Sequence, residues 1–317
     1  MRTTVLAGGV GAARFLRGLF QVVDQADVTV IANTGDDSVF HGLHISPDID
    51  TVVYTTSGAI DPERGWGLAD ESWRTMESLQ RYAEHGAVTW FNLGDRDLAT
   101  HLWRTGRLAE GCSLTTVTAE LAAAWELRYA LLPVTDDLLR TFVDTAEGEL
   151  AFQEYFVRLQ HSVPVTGVRF AGSETARPAP AVLDAITKAD RVVIAPSNPL
   201  VSIGPLLAVH GVGDSLRAVR RRCSAISPIV AGAALKGPAD RMMAELGHEP
   251  SVVGVARLYA PFVSTLIIDL ADASRADEVR ACGVEVIVTD TIMSRPGVGA
   301  TLARATLGTH DATDWAP

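Results

Sequence analysis

The stretch TTVLAGGVGAARFLRGLF, residues 3–20, decides the fold class of this chain. Residues 3–7 form a short apolar run that is typical of a buried strand, and the turn Gly8-Gly9-Val10-Gly11 ends it. In residues 12–20, Phe15, Leu16 and Leu19 recur at helical spacing. The stretch therefore predicts a strand, a glycine turn and a helix.

A second apolar run follows at residues 28–32 and ends at Asn33-Thr34-Gly35-Asp36-Asp37. Two strands joined by a helix make a βαβ unit, whose strands are parallel and whose crossover is right-handed. Similar runs occur at residues 191–195, 225–230, 265–268 and 284–288. The alternation of strand and helix signals predicts an α/β, Rossmann-like, doubly wound fold with a mainly parallel sheet.

Residues 140–180 have a different pattern. Apolar runs at 141–143 and 150–152 flank Glu147-Gly148, which is typical of a hairpin turn. We interpret 140–180 as a small inserted α+β region, with 1–139 and 181–317 forming the Rossmann-like core. The tail from residue 308 onward is expected to be loosely held.

Composition excludes several classes of protein. The 317 residues include 27 Lys and Arg and 38 Asp and Glu, which gives a net charge of −11. This acidic charge disfavours binding to the backbone of a nucleic acid. Lys188 and Lys236 are the two lysines, so an anion site would depend on Arg, backbone N–H groups or a metal. The sequence contains no apolar run of about 18 residues, so no membrane span is predicted. The three separated cysteines favour buried thiols in a reducing compartment, and we expect a cytoplasmic protein.

The glycine turn is a candidate phosphate site. Glycines let the backbone approach a phosphate, and a helix N-terminus offers free N–H groups and positive potential. A tight turn without a ligand is the alternative. The dinucleotide fingerprint would need Gly or Ala where Arg14 stands and an acid where Asn33 stands, so a nicotinamide oxidoreductase is disfavoured.

Four carboxylates lie within fifteen positions beside this turn: Asp36, Asp37, Asp48 and Asp50. Mg²⁺ takes a few carboxylates together with water and phosphate oxygens, so the composition fits a metal–phosphate site. Ordinary capping of turns and helices is the alternative interpretation.

Further polar loops follow other predicted elements. Ser197 and Asn198 lie between two prolines after one predicted strand, and residues 226–229, with Gly232 and residues 236–238, form a further donor-rich loop. Arg96 lies between two acids before a predicted helix, where it could be held for a planar or anionic ligand. Local ion pairing at a helix cap is equally compatible with Arg96, and His101 is more simply structural. Several donor-rich loops at one sheet edge suggest a ligand with several polar parts, such as a nucleotide diphosphate.

Taken together, these motifs resemble the 2-phospho-L-lactate transferase family of coenzyme F420 biosynthesis. The resemblance includes the glycine turn, residues 33–37, 45–51, 93–97, 195–199 and 227–229, in that order, and it extends to about residue 247. Residues 8–15 and the loop Arg64-Gly65-Trp66-Gly67 are especially similar to the phosphoenolpyruvate transferase branch.

The resemblance implies a reaction. The terminal ribityl hydroxyl of the deazaflavin Fo would attack the phosphoryl group that bears lactate or enolpyruvate in a guanosine diphosphate conjugate, and GMP would leave. Mg²⁺ would bridge the diphosphate, and the chain would form a homodimer.

The resemblance also implies site residues. Asp50 and Arg96 would be catalytic and, with Thr51, would contact Fo. Asp36, Asp48 and Asp50 are the candidate metal ligands. Gly8, Gly9, Val10 and Gly11 would bind the nucleotide together with Ser197 and Asn198.

A family of nucleotide-sugar-binding regulators is a rival, because it shares the glycine turn and the acidic second turn. Its pattern would place a Gly/Ser-rich stretch after Asp36-Asp37, whereas this chain continues Ser38-Val39-Phe40-His41. The sequence leaves the choice between a lactyl and an enolpyruvyl donor open.

Overall fold

The computed structural model describes residues 1–308 of the chain. Residues 309–317, which hold all but the first residue of the predicted tail, lie outside the described part. The strands are β1 (Thr3–Ala7), β2 (Val28–Ala32), β3 (Ser38–Phe40), β4 (Leu43–Ile45), β5 (Ala130–Pro133), β6 (Arg140–Thr145), β7 (Gly148–Ala151), β8 (Gly167–Ala171), β9 (Arg191–Ile194), β10 (Cys223–Ile226), β11 (Ile229–Val230), β12 (Ala233–Ala234), β13 (Thr265–Asp269) and β14 (Glu285–Thr289).

The α-helices are α1 (Gly9–Leu19), α2 (Pro47–Thr56), α3 (Arg74–Leu79), α4 (Asp97–Ala109), α5 (Leu114–Ala124), α6 (Val182–Lys188), α7 (Gly204–Ala208), α8 (Val212–Ala218), α9 (Ala239–Glu245), α10 (Val252–Tyr259), α11 (Ala276–Ala281) and α12 (Val298–Leu307). Within residues 1–308, none of these helices combines the length and the apolar character that a membrane crossing requires.

Seven parallel strands form the main sheet, in the order β14-β13-β10-β9-β1-β2-β5. The chain builds outward from β1 through β2 to β5, then returns to place β9 on the other side of β1. The strand order therefore reverses between β1 and β9. The predicted doubly wound α/β fold is confirmed.

Alternate residues of the central strands point to opposite faces of the sheet, and both faces are covered. Leu6 and Ile194 belong to one apolar core, whereas Val5 and Val193 belong to the other. This arrangement explains why the strands read as continuous apolar runs in the sequence.

Two elements differ from the sequence prediction. The run 225–230 is not one strand, because Ser227 interrupts it and its Oγ accepts a hydrogen bond from the Ile229 amide. Residues 229–230 pair instead with β12 in a separate ribbon. The edge strand β5 was not predicted, since four residues ending in a proline give little strand signal.

Residues 47–51 are the first half of α2, and Ser46 precedes the helix as its N-cap. Pro47 occupies the first helical position, where its missing N–H costs nothing and its fixed φ fits the helix. The start of α1 at Gly9 likewise places the glycine turn inside the first turn of that helix.

Residues 140–180 contain a three-stranded antiparallel sheet in the order β7-β6-β8 and a helical segment, Glu154–Arg158. The apolar core of this segment includes Phe152 and Tyr155 together with Val201 and Met242 of the surrounding chain. The segment is therefore packed directly on the main fold.

Candidate active site

A cavity of about 660 Å³ opens at the carboxyl ends of the central strands, where the strand order reverses. This position is where open α/β sheets bind their ligands, and the volume is typical of a small-molecule site. The cavity brings together most of the predicted site residues: Gly8, Gly9, Val10, Gly11, Asp36, Asp48, Asp50, Thr51, Ser197 and Asn198.

The glycine turn lies against the loop that follows β9. A Cβ atom on Gly11 would lie 2.1 Å from the carbonyl oxygen of Pro196, and one on Gly8 would lie 2.8 Å from Ser202 Cβ. Gly9 has a φ of 73°, which disfavours any side chain. Close packing of two loops thus accounts for these glycines without a ligand, and their role in nucleotide binding stays a prediction.

Ser197 and Asn198 face the same cavity from the β9 side. Asn198 Oδ1 accepts hydrogen bonds from the amides of Leu200 and Val201, at 2.9 and 3.4 Å, and so caps the helical turn that follows. The Ser197 hydroxyl is buried and has no hydrogen-bond partner within the described chain. A buried hydroxyl without a partner is suited to a ligand oxygen.

Asp36 and Asp48 form a buried acidic pair beside the glycine turn. Asn33 Nδ2 donates to Asp48 Oδ2 at 2.9 Å, whereas Asp36 Oδ1 has no partner among the described residues. Burial raises the pKa of Asp36 well above its ordinary value, and the charge of Asp48 raises it further. Burial also raises the pKa of Asp48, to about 6, although hydrogen bonds from Asn33 and the Gly9 amide oppose that shift.

These observations fit a divalent cation. Two buried carboxylates that repel each other, one of them with an unpartnered oxygen, offer the hard oxygen ligands that Mg²⁺ takes. Asp37 is less suited, because it does not line the cavity and its Oδ2 accepts from Ser46 Oγ at 2.7 Å and lies 3.0 Å from His44 Nε2.

Asp50 is held by a buried arginine that the sequence analysis did not identify. Arg104, which is 1% exposed, donates from Nη1 to Asp50 Oδ2 at 3.1 Å and from Nη2 to Oδ1. Because both carboxylate oxygens already accept from a cation, Asp50 fits a metal less well than Asp36 and Asp48 do. Its position at the cavity wall suits it to accept a hydrogen bond.

The network continues along α4. His101 Nε2 lies 3.2 Å from Asp97 Oδ2, and the Tyr54 hydroxyl donates to Asp97 Oδ1 at 2.6 Å. Asp50, Asp97 and His101 come close enough to share a metal ion, but Arg104 already supplies positive charge there. Asp97, His101 and Arg104 recur at helical spacing, and this polar stripe on one face of α4 was the available signal.

Arg96 is the predicted site residue that the structure does not bring to the cavity. Its side chain is exposed, and Nη1 donates to the Ala69 carbonyl at 2.5 Å. The neighbouring Asp95 accepts hydrogen bonds from the amides of Arg74 and Thr75, so this loop is fixed largely by local contacts. A role of Arg96 toward a substrate stays a prediction.

Two aromatic walls line the cavity. Trp66 and Phe91 form one wall, and Phe152 and Phe156 form the other. The rings of Phe152 and Phe156 are stacked with centroids 5.5 Å apart, and Phe156 is 37% exposed. Planar ring systems would find an apolar face on either wall.

The fold and the site define a class: an α/β protein with a ligand-sized cavity, lined by buried carboxylates, at the switch point of a doubly wound sheet. The sequence of this chain matches the 2-phospho-L-lactate transferase family, CofD, over residues 3–302. The chain belongs to that family.

Individual relatives agree with the family. A phosphoenolpyruvate transferase of Streptomyces griseus is 43% identical over 97% of this chain and 98% of that protein. One of Nocardia farcinica is 42% identical over 96% of this chain and 94% of that protein. The crystal structure of a UPF0052-family protein of Bacillus halodurans has the same fold, with a TM-score of 0.61 and 16% identity over 97% of this chain and all of that one.

Proposed function

We propose that this transferase moves a phosphoenolpyruvyl or 2-phospho-L-lactyl group from a guanosine diphosphate conjugate to the terminal ribityl hydroxyl of the deazaflavin Fo. GMP is released, and coenzyme F420-0 or its dehydro form is the product. Membership of the 2-phospho-L-lactate transferase family supports the reaction type. The names of the relatives at about 43% identity favour the enolpyruvyl donor of the two.

The observation that best supports this proposal is the buried Asp36–Asp48 pair at the switch point of the sheet. Phosphoryl transfer depends on positioning and on neutralising charge rather than on a covalent nucleophile. Asp36 and Asp48 would hold Mg²⁺, and the bound ion would neutralise the charge of the donor diphosphate.

The remaining residues position the two substrates. Ser197 Oγ donates to the donor, and the wall of Phe152 and Phe156 packs against its guanine base. The deazaflavin packs on the wall of Trp66 and Phe91. Asp50, oriented by Arg104, accepts a hydrogen bond from the ribityl hydroxyl and so aligns it for attack on phosphorus.

The test is turnover with defined substrates. Protein, Mg²⁺ and Fo are incubated with each guanylated donor in turn, and the deazaflavin product is identified by mass spectrometry. We expect a product heavier than Fo by one phosphoenolpyruvyl or phospholactyl group. Unchanged Fo with both donors would contradict the proposal.

A further inference from the structure

Arg14 and Lys236 bring positive charge to the mouth of the cavity. Within residues 1–308 they are the only Arg or Lys side chains that line it, against four carboxylates: Asp36, Asp48, Asp50 and Asp97. Arg14 extends from α1, and Lys236 belongs to the loop between β12 and α9. Two elements distant in sequence thus place cations at one opening.

The two cations lie close together over the backbone of Gly65. A Cβ atom on Gly65 would lie 2.8 Å from Lys236 Nζ and 4.0 Å from Arg14 Nη2. Gly65 has a φ of 71° and carries no side chain, so the ammonium group can lie directly against this loop.

Neither cation has a carboxylate partner in the described chain, although other cations do. Arg64, beside Gly65, pairs with Asp61 at 2.9 Å, and Lys188 pairs with Asp184 at 2.7 Å. Burial, together with the adjacent charge of Arg14, lowers the pKa of Lys236. Two like charges held side by side without a counterion are stabilised by an anion from outside the chain.

Arg14 and the acidic pair meet α1 at different positions along the helix. Asp48 Oδ1 would lie 3.8 Å from a Cβ atom on Gly9, at the start of the helix. Arg14 is five residues further along, roughly 7–8 Å at 1.5 Å per residue. The cavity therefore combines carboxylates suited to a metal-bound diphosphate with a cationic end, Arg14 and Lys236.

We propose that Arg14 and Lys236 bind the carboxylate of the three-carbon acid on the donor, and so select donors that bear this group. The inference rests on the proposed function, because that function gives the donor two anionic parts. The acidic pair with its cation takes the diphosphate, and the carboxylate, a few bonds beyond phosphorus, takes the cationic end. A guanidinium and an ammonium together match the acceptor geometry of a carboxylate.

Calorimetric titration without Fo, so that no transfer occurs, tests this proposal. The ligands are GDP, the guanylated three-carbon acid, and the same conjugate with its carboxylate converted to an amide. The proteins are the wild type, Arg14→Gln, Lys236→Gln and a matched control, Lys188→Gln, which removes the other lysine on the exposed end of α6.

We expect Arg14→Gln and Lys236→Gln each to weaken binding of the acid conjugate roughly 10- to 100-fold, the range for a lost hydrogen bond between charged groups. Binding of GDP and of the amide should change less than about threefold, and the control should match the wild type. Equal weakening of GDP and the acid conjugate would overturn the proposal in favour of a phosphate site. Unchanged binding of the acid conjugate would overturn it as well. A wild-type protein that binds none of the three ligands would instead refute the proposed function.

Discussion

At the residue scale, the Asp36–Asp48 pair couples stability to pH. Burial raises the folded-state pKa of both acids, that of Asp48 from 3.8 to about 6. Between those values the folded protein binds more protons than the unfolded chain, so stability falls as the pH rises through this window. The penalty is fully present above the folded pKa values, where only a bound cation can offset it.

Asp36→Asn therefore tests the metal role without depending on turnover. At pH 7.5 the metal-free variant should melt about 2–4 °C above the wild type, roughly 1 kcal/mol, because the repulsion with Asp48 is removed. Added Mg²⁺ should raise the melting temperature of the wild type but not that of the variant, and transfer activity should fall at least about 100-fold. Calorimetry with and without Mg²⁺ measures the first two effects.

Asp277→Asn is the control for this experiment, because Asp277 lies on the surface and pairs with Arg280 of the same helix. It should keep the wild-type response to Mg²⁺. A full Mg²⁺ response in Asp36→Asn would rule out Asp36 as a ligand.

A second prediction at this scale concerns the Asp50–Arg104 pair. Asp50→Asn leaves a buried guanidinium without its counterion, which typically costs about 3–5 kcal/mol. The double variant Asp50→Asn/Arg104→Met should be destabilised less than the sum of the two single variants. Urea unfolding of all four proteins measures this coupling, and strictly additive losses would show that the pair does not interact as described.

Arg104 is a site residue that was not predicted from the sequence. The motif residues Asp36, Asp48 and Asp50 could be predicted because each follows a strand or turn signal. Arg104 lies within a helix, and its burial depends on its contact with Asp50 of α2, for which the polar stripe on α4 was the available signal. Arg96 is the opposite case. Its position between two acids made it a candidate in the sequence, yet its side chain is exposed.

At the element scale, the cavity walls come from different parts of the chain. The helical segment Glu154–Arg158 contributes Phe156, and the loop after α2 contributes Trp66. If the donor base lies on the wall of Phe152 and Phe156 and the deazaflavin on the wall of Trp66 and Phe91, substitutions in the two walls have separable effects on binding.

Phe156→Ala should weaken binding of the guanylated donor about 3- to 10-fold, from the loss of roughly 0.5–1.5 kcal/mol of aromatic packing, and leave Fo affinity unchanged. Trp66→Ala should weaken binding of Fo and leave the affinity for the guanylated donor unchanged. Titration with the donor by calorimetry and with Fo by fluorescence gives both affinities. Tyr82→Ala, which removes an exposed aromatic ring elsewhere, should alter neither. Loss of Fo binding in Phe156→Ala would reverse the assignment of the walls.

The elements themselves were largely predictable because strands covered on both faces must be apolar throughout. β1, β2 and β13 therefore stand out in the sequence. β5 does not, since it has only four residues and ends in a proline. The start of α2 was hidden because Pro47 signals a turn as readily as a helix start.

At the scale of the whole molecule, one sheet separates two apolar cores, and the segment 140–180 shares its own core with Val201 and Met242. We therefore expect a single cooperative unfolding transition, with far-ultraviolet dichroism and tryptophan fluorescence giving the same midpoint. Two separated midpoints would show that 140–180 unfolds independently.

The homodimer implied by the family resemblance remains a proposal, which light scattering tests against the chain mass of 33.7 kDa.

The central claim is that the cavity directs attack by the ribityl hydroxyl on the phosphorus that bears the three-carbon acid. The most direct measurement is the stoichiometry of both products in a single turnover with Fo and the enolpyruvyl donor, followed by mass spectrometry. We predict one GMP for each deazaflavin phosphodiester that carries the acid. A deazaflavin linked to GMP, with free phosphoenolpyruvate as the second product, would contradict the account.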